Sequence, residues 1–315
     1  MNTEELIDGI RLYNPYCEHI TLSTIYAKLG CGRFNVINCG SPGTGKSQSS
    51  IEILSALDTG EEIIIDNNTT KKGFFGLMMD FPNHNIVLDE CSTLMKDKAT
   101  QDAIKLAMEG KSISWIKDKS RQETPPFNGN FIINTNEQMM PSVIDRCFFN
   151  KTLMNKEMAL NFIDYAGEEQ NHDKLILHIK KKIANKKQVI LTKEEKEKVI
   201  VFLKKHIEES DEGLEYSRRV LGRMLQYFKC SKKLFNKLDD KVLAFIEPFA
   251  ALYVINEKAP ELIEAIVSNG EIDKSELILK LSKEGNYSER HARRLVNEKI
   301  ESRILISKGR MVTLK

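Results

Sequence analysis

The chain has 315 residues, 41% of them hydrophobic and 29% charged, so it exceeds the size at which one core keeps growing and two or three domains are expected. Its 47 Lys and Arg against 45 Asp and Glu leave a formal charge of +2, which excludes a uniformly basic nucleic-acid binder and confines any such surface to a local patch. No apolar run approaches the about 20 residues of a spanning helix, and the acidic opening MNTEELIDGIRLYN lacks the apolar core of a secretory signal. The expectation is a cytoplasmic protein without a membrane partner. The six cysteines have no CxxC or metal-type spacing and read as reduced thiols that serve as small hydrophobes.

In chain order, residues 1–29 read as two helices, the second running from Leu22 to Leu29 and ended by Gly30. Short β-branched runs then alternate with helical stretches. Strands are expected at Phe34–Cys39, Ile63–Ile65, Ile86–Leu88 and Phe131–Asn134. Helices are expected at Lys46–Leu57, around Phe74–Met79 and at Thr100–Met108. Such alternation implies parallel pairing in an α/β sheet with strands buried on both faces. Beyond about residue 155 helical period dominates, with helices expected at Met158–Tyr165, Lys174–Ala184, Lys193–His206, Ser217–Phe228 and Val242–Ile255. Thr192 and Glu195 form the signature of a capping box. From about Asn269 a third pattern appears: a helix at Lys274–Leu281, a second at Ser288–Ile300, and a hairpin at Ile304–Ile306 and Met311–Leu314 turning near Lys308-Gly309. Helix, turn, helix and a two-stranded wing is the plan of a winged helix.

The octet Gly40-Ser41-Pro42-Gly43-Thr44-Gly45-Lys46-Ser47 fits G-x4-G-K-[ST] between an expected strand and an expected helix, the context this phosphate loop requires. Glycines let backbone N–H groups turn inward around phosphate oxygens, and the helix N-terminus adds partial positive charge. Lys46 would reach the β- and γ-phosphates, and the Ser47 hydroxyl a Mg²⁺ ion. Ile86-Val87-Leu88-Asp89-Glu90 delivers two acids at the end of a strand about 43 residues beyond Lys46. Asp89 would hold Mg²⁺ through water and Glu90 would activate the attacking water. Phe131-Ile132-Ile133-Asn134-Thr135-Asn136 brings amides to the same edge, with Asn136 or its neighbour Asn134 able to orient that water.

Phosphate loop, Asp-Glu strand, Asn-terminated strand and then Arg146 resemble, over roughly residues 30–150, the AAA+ ATPases. The resemblance implies a P-loop α/β core (residues 30–155) preceded by N-terminal helices (1–29) and followed by a helical lid (156–268) and the winged-helix domain (269–315). It implies that Asn136 is sensor 1, that Arg146 reaches the nucleotide of a neighbouring subunit, and that Arg219, or Arg218 beside it, acts from the lid. Residues 110–121 resemble the pre-sensor-1 hairpin of superfamily-3 and MCM-like helicases, which implies that Lys117, Lys119 and Arg121 contact single-stranded DNA in a ring pore. Trp115 would stack on a base or pack the hairpin's foot. The last thirty residues hold eight Lys or Arg against three acids. There Arg290, Arg293 and Arg294 on the second helix and Lys308 and Arg310 on the wing make a candidate DNA footprint.

The expected function is therefore an ATP- and Mg²⁺-dependent AAA+ hydrolase, a homo-oligomer and by resemblance a hexamer, that moves on or remodels DNA like a replicative helicase. A separate primase or initiator would be a partner, and the Lys-, Ile- and Asn-rich composition hints at a mobile element or virus. Two alternatives stay open: an ATP-switched initiator or helicase loader that does not unwind, and a polypeptide-threading remodeller that would use Gly73-Phe74-Phe75-Gly76 as a pore loop.

Overall fold

The computed structural model describes every residue except 16, 41–42, 58, 61, 66–68, 92–93, 95–96, 118–119, 137–140, 145, 153–171, 209–217, 255–266, 268–271, 285–291, 294–295, 298–299, 301–304 and 315. The chain is mixed α/β and divides into two compact units, Met1–Val254 and Ile255–Lys315. Among the described residues no helix is long and apolar enough to cross a membrane.

The first unit begins with α1 (Thr3–Tyr13) and α2 (Glu18–Lys28). Asn2 and Glu5 close a capping box at the start of α1, each side chain bonding the other's backbone N–H at 3.0 and 2.9 Å. The alternating region supplies β1 (Val36–Gly40), a π-helical turn (Gln48–Glu52) that continues into α3 (Ile53–Leu57), β2 (Glu62–Ile65), α4 (Lys71–Asp80), β3 (Asn85–Asp89) and α5 (Lys98–Met108). A hairpin of β4 (Ser114–Lys117) and β5 (Ser120–Glu123) follows, then β6 (Phe131–Thr135), the single turn α6 (Pro141–Ile144) and β7 (Phe148–Thr152). The unit closes with α7 (Asp173–Ala184), α8 (Lys193–Glu208), α9 (Arg218–Phe235) and α10 (Asp240–Val254).

Five strands form one sheet in the order β2-β3-β6-β1-β7, and every neighbouring pair is parallel. Two differences from expectation have local causes. The helix after the glycine-rich loop contains a π-helical turn in its first part. There Ser49 and Ser50 donate their hydroxyls back to the carbonyls of Gly45 and Lys46, at 2.7 and 2.9 Å, which competes with the regular ladder. The edge strand β7 is absent from the sequence reading, because Phe148-Phe149-Asn150-Lys151-Thr152 is short and mixes apolar with polar residues.

Period-two alternation sends side chains to two different cores. Val36, Val87, Ile132 and Phe148 face the cluster built from α1, α2, α3 and α7 to α10. Ile37, Ile86, Leu88, Phe131 and Ile133 face a second cluster with Phe74 and Met78 of α4 and Ile104 and Ala107 of α5. The result is three layers, helices on both sides of the sheet. On the first side the rings of Phe34 and Phe148 stack at 3.8 Å, with Tyr26, Tyr227 and Tyr253 packed around them. Lys28 of α2, fully buried, is ion-paired with Glu62 of β2. The Thr192–Glu195 capping box is formed, at 2.7 and 3.2 Å.

In the second unit, α11 (Lys274–Glu284) packs with Val267, Ala292, Val296 and a three-stranded antiparallel sheet. That sheet joins β8 (Ile272–Asp273), β10 (Met311–Leu314) and β9 (Leu305–Lys308), in that order. Residues 292–293, 296–297 and 300 are helical. The hairpin turns at Gly309, whose φ of 68° favours glycine, and the short strand β8 was not expected from sequence.

Candidate functional site

β1 ends at Gly40, on the edge of the sheet where all five parallel strands present their C-termini. A side chain on Gly40 would run into Thr152 of the adjacent strand, so this position tolerates only a hydrogen. Gly43 and Gly45 both have φ of 77°, the left-handed conformation that turns successive N–H groups to one side. Ser41 and Pro42 lie outside the described residues. Thr44 is pinned from two sides. Its hydroxyl is 3.0 Å from that of Thr152, and its carbonyl accepts the Cys17 thiol at 3.4 Å. Asn14 donates to Ser49 at 2.6 Å, so the residues on either side of the first inter-helix turn brace the loop from below.

Lys46 is buried, and its ammonium donates to the Gly40 carbonyl at 2.9 Å, to Thr44 Oγ1 at 3.3 Å and to Asn136 Oδ1 at 2.8 Å. Burial lowers its pKa from the ordinary lysine value, while the nearby Cys39, Glu90 and Asp89 pull it back up. A cation held in such partial desolvation attracts an anion more strongly than one in water. Ser47 donates its hydroxyl to Asp89 Oδ1 at 2.6 Å. The same carboxylate oxygen accepts the Asn134 amide at 3.0 Å, and that amide also reaches Ser50 at 2.9 Å. The structure thus separates the two candidate amides: exposed Asn136 meets the lysine, and fully buried Asn134 meets the acid.

Glu90 follows directly, exposed, with its N–H bonded to the Asn134 carbonyl at 3.0 Å. Its φ of 50° is left-handed, a costly conformation for a residue with a side chain and one that gathers at functional sites. Lys46, Ser47, Asp89, Glu90 and Asn136 therefore converge on one sheet edge. They combine a fixed cation, a hydroxyl beside a carboxylate and a second carboxylate open to solvent. Among the described residues no group of three or more His, Cys, Asp or Glu could hold a metal ion by itself. A hard divalent cation at Ser47 and Asp89 would take its remaining ligands from water and from phosphate oxygens, as Mg²⁺ does.

Arg146 stands apart from this cluster. Its guanidinium forks onto Glu109 at the end of α5, with Nε at 2.7 Å and the terminal nitrogen at 2.5 Å, and its side chain is only 16% exposed. Glu109, bridged by Lys111 and Arg146, titrates at about 2. Glu109 lies 37 residues upstream of Arg146 and is adjacent to it only in the fold. Arg219 and Arg218 lie in the first turn of α9, where the structure describes their backbone. Nearby on that helix, Arg223 donates to the Cys147 carbonyl at 2.9 Å, joining α9 to the segment between α6 and β7.

Strands β4 and β5 form a two-stranded hairpin, with Lys117 opposite Ser120 and Arg121 opposite Ile116. Lys119 lies outside the described residues, and for Lys117, Arg121 and Lys308 the backbone alone is described. In the second unit Arg293 and Arg310 are exposed, while Arg290 and Arg294 lie outside the described residues. Phe74 and Phe75 are buried within α4 against the sheet, so neither aromatic is presented as a gripping loop. No protein-family model matches the chain, and no curated protein matches it.

Proposed function

We propose that this chain is an ATP hydrolase of the AAA+ type that works as a ring-shaped homo-oligomer, a hexamer by resemblance, and acts on DNA in replication. The observation that carries the nucleotide part is the meeting of Lys46, Ser47, Asp89 and Asn136 within 2.6 to 2.8 Å contacts at one sheet edge, beside a loop with two left-handed glycines. An anion cradle next to a hydroxyl–carboxylate pair suits a nucleoside triphosphate carrying Mg²⁺. The strand that carries Asn134 and ends beside Asn136 lies between the phosphate-loop strand and the Asp89 strand, so one edge serves all three motifs.

In this reading the loop N–H groups and Lys46 hold the β- and γ-phosphates, and Ser47 with Asp89 holds the metal. Mg²⁺, when bound, would supply positive charge to offset the charge that develops on the phosphate. Glu90, exposed and left-handed, would accept a proton from the attacking water, and Asn136 would orient that water and sense the γ-phosphate. Arg146 acts in trans only after leaving Glu109, which makes subunit assembly compete with an intrachain ion pair. Arg219 would act from the lid. The β4–β5 hairpin and the second unit, a helix packed on a three-stranded wing, would meet DNA. The buried Phe74 and Phe75 favour this over a polypeptide-threading motor.

The decisive test is Glu90→Gln. ATP hydrolysis should fall by about 10² to 10³ while nucleotide binding persists, measured by phosphate release and by titration with a fluorescent ATP analogue. Hydrolysis at the unaltered rate would remove Glu90 from the mechanism. Failure of Lys46→Ala to weaken nucleotide binding would remove the nucleotide site. DNA-stimulated hydrolysis without strand displacement on a forked duplex would favour a loader or initiator.

A further inference from the structure

The strand register lines up four polar residues straight across the sheet. Asp89 of β3 is paired with Asn134 of β6, Asn134 with Asn38 of β1, and Asn38 with Asn150 of β7. All four lie on the same face as Val87, Ile132, Val36 and Phe148, one pleat closer to the C-terminal edge. The three amides are completely buried. Asn134 donates to Asp89 at 3.0 Å, Asn38 to Asn134 at 2.8 Å, and Asn150 to Asn38 at 2.7 Å. The row ends on Tyr253 of α10, whose buried hydroxyl donates to Asn150 at 2.7 Å. A side bond runs from Asn150 to Ser23 of α2 at 2.9 Å.

The polarity of this row is fixed. A carboxylate can only accept, so Asn134 must turn its NH₂ toward Asp89 and its oxygen toward Asn38. The same choice then passes to Asn38, to Asn150 and to the phenol. One reversed amide would leave buried donors facing donors, a costly arrangement. Hydrogen bonds aligned head to tail also polarise one another. Three buried amides where apolar residues would pack do little for stability alone; their alignment gives Asp89 Oδ1 a defined direction toward Ser47. Tyr253 stands one residue before Val254, where the first unit ends.

We propose that Asn134, Asn38, Asn150 and Tyr253 form a positioning relay that aims the Asp89 carboxylate and couples the metal-side acid to helix α10. The proposal rests on the nucleotide reading of the site. The relay residues touch neither phosphate nor metal; they act through Asp89. By reciprocity, loading the site changes the hold on α10 as much as α10 changes the site.

The test uses the full chain and two hydroxyl deletions of equal size. Tyr253→Phe removes the relay's first donor. Tyr227→Phe is the control, a buried phenol in the same aromatic cluster that donates instead to the Ile246 carbonyl at 3.4 Å. Binding of a fluorescent ATP analogue is titrated with and without Mg²⁺, and melting temperature monitors the fold. Tyr253→Phe should raise the Mg²⁺ concentration at half-effect by about 3- to 10-fold, leave Mg²⁺-free nucleotide binding unchanged, and preserve the melting transition. Tyr227→Phe should leave the Mg²⁺ midpoint within about twofold of wild type. Equal Mg²⁺ midpoints for all three proteins, with Lys46-dependent nucleotide binding intact, would overturn the relay and spare the nucleotide site. Absence of nucleotide binding in the wild type would overturn both.

Discussion

The two faces of the central sheet are built from the same strands and end differently. On the face toward α4 and α5, Ile37, Leu88 and Ile133 form an apolar row that packs into one cluster with Cys39. On the opposite face the apolar row Val87, Ile132, Val36 and Phe148 gives way, one pleat later, to Asp89 and three asparagines. The row Ile37, Ile133 and Leu88 fastens the first face to its helices by apolar burial. The second spends one row of burial on directional bonds, and it does so at the edge where Lys46 and Ser47 stand. The difference teaches that a close-packed core supplies stability, while a satisfied polar row supplies orientation.

Exchanging the chemistry between faces should break this contrast. Ile133→Asn should have the largest effect, about 3 to 6 kcal/mol, since it removes a buried aliphatic side chain and orphans an amide among Phe74, Leu88 and Ile104. The reverse change, Asn38→Leu, keeps the branched outline of the side chain but removes a donor from the Asn134 oxygen and the acceptor of an Asn150 N–H, for about 2 to 5 kcal/mol. Denaturant unfolding measures both. A harmless Ile133→Asn would mean that the apolar face is not the one that fastens the sheet.

A smaller effect belongs to the rim of the apolar face, where Glu109 closes α5 against Arg146. The carboxyl is depressed from 4.5 to about 2 by its bonds from Lys111 and Arg146. A depressed carboxyl stabilises the fold above its unfolded value and loses that contribution as pH falls through its folded value. The gap between wild type and Glu109→Gln should therefore be constant above about pH 5, at no more than about 1 kcal/mol because the pair is partly exposed, and should close near pH 2. A gap that persists at pH 2 would mean that Glu109 acts by packing rather than by charge.

Much of this molecule is legible from sequence because the relevant signals are local. The β-branched runs 63–65, 86–88 and 131–133 become strands of one parallel sheet, and Thr192 with Glu195 caps α8. The glycine-rich loop is recognisable because glycine at 43 and 45 answers a need of the backbone itself, the left-handed turn. Asp89 and Glu90 are readable because an apolar strand must end somewhere, and acids mark the end. The short edge strand β7, the π-helical turn and β8 are not, since neighbours and side-chain bonds decide them rather than hydrophobic period.

What only the tertiary structure decides is partnership. Asn38, Asn134 and Asn150 are, in sequence, three isolated amides near strand ends; nothing local says that they share a face, a row and a direction. Parallel register across four strands brings them together, and the single carboxylate at one end orients all of them. The same holds for Arg146, whose partner Glu109 is remote in sequence, and for Tyr253, which meets Asn150 across 103 residues. Local conformational preference writes the elements into the chain, whereas hydrogen-bond partners are chosen by packing, which no single segment contains.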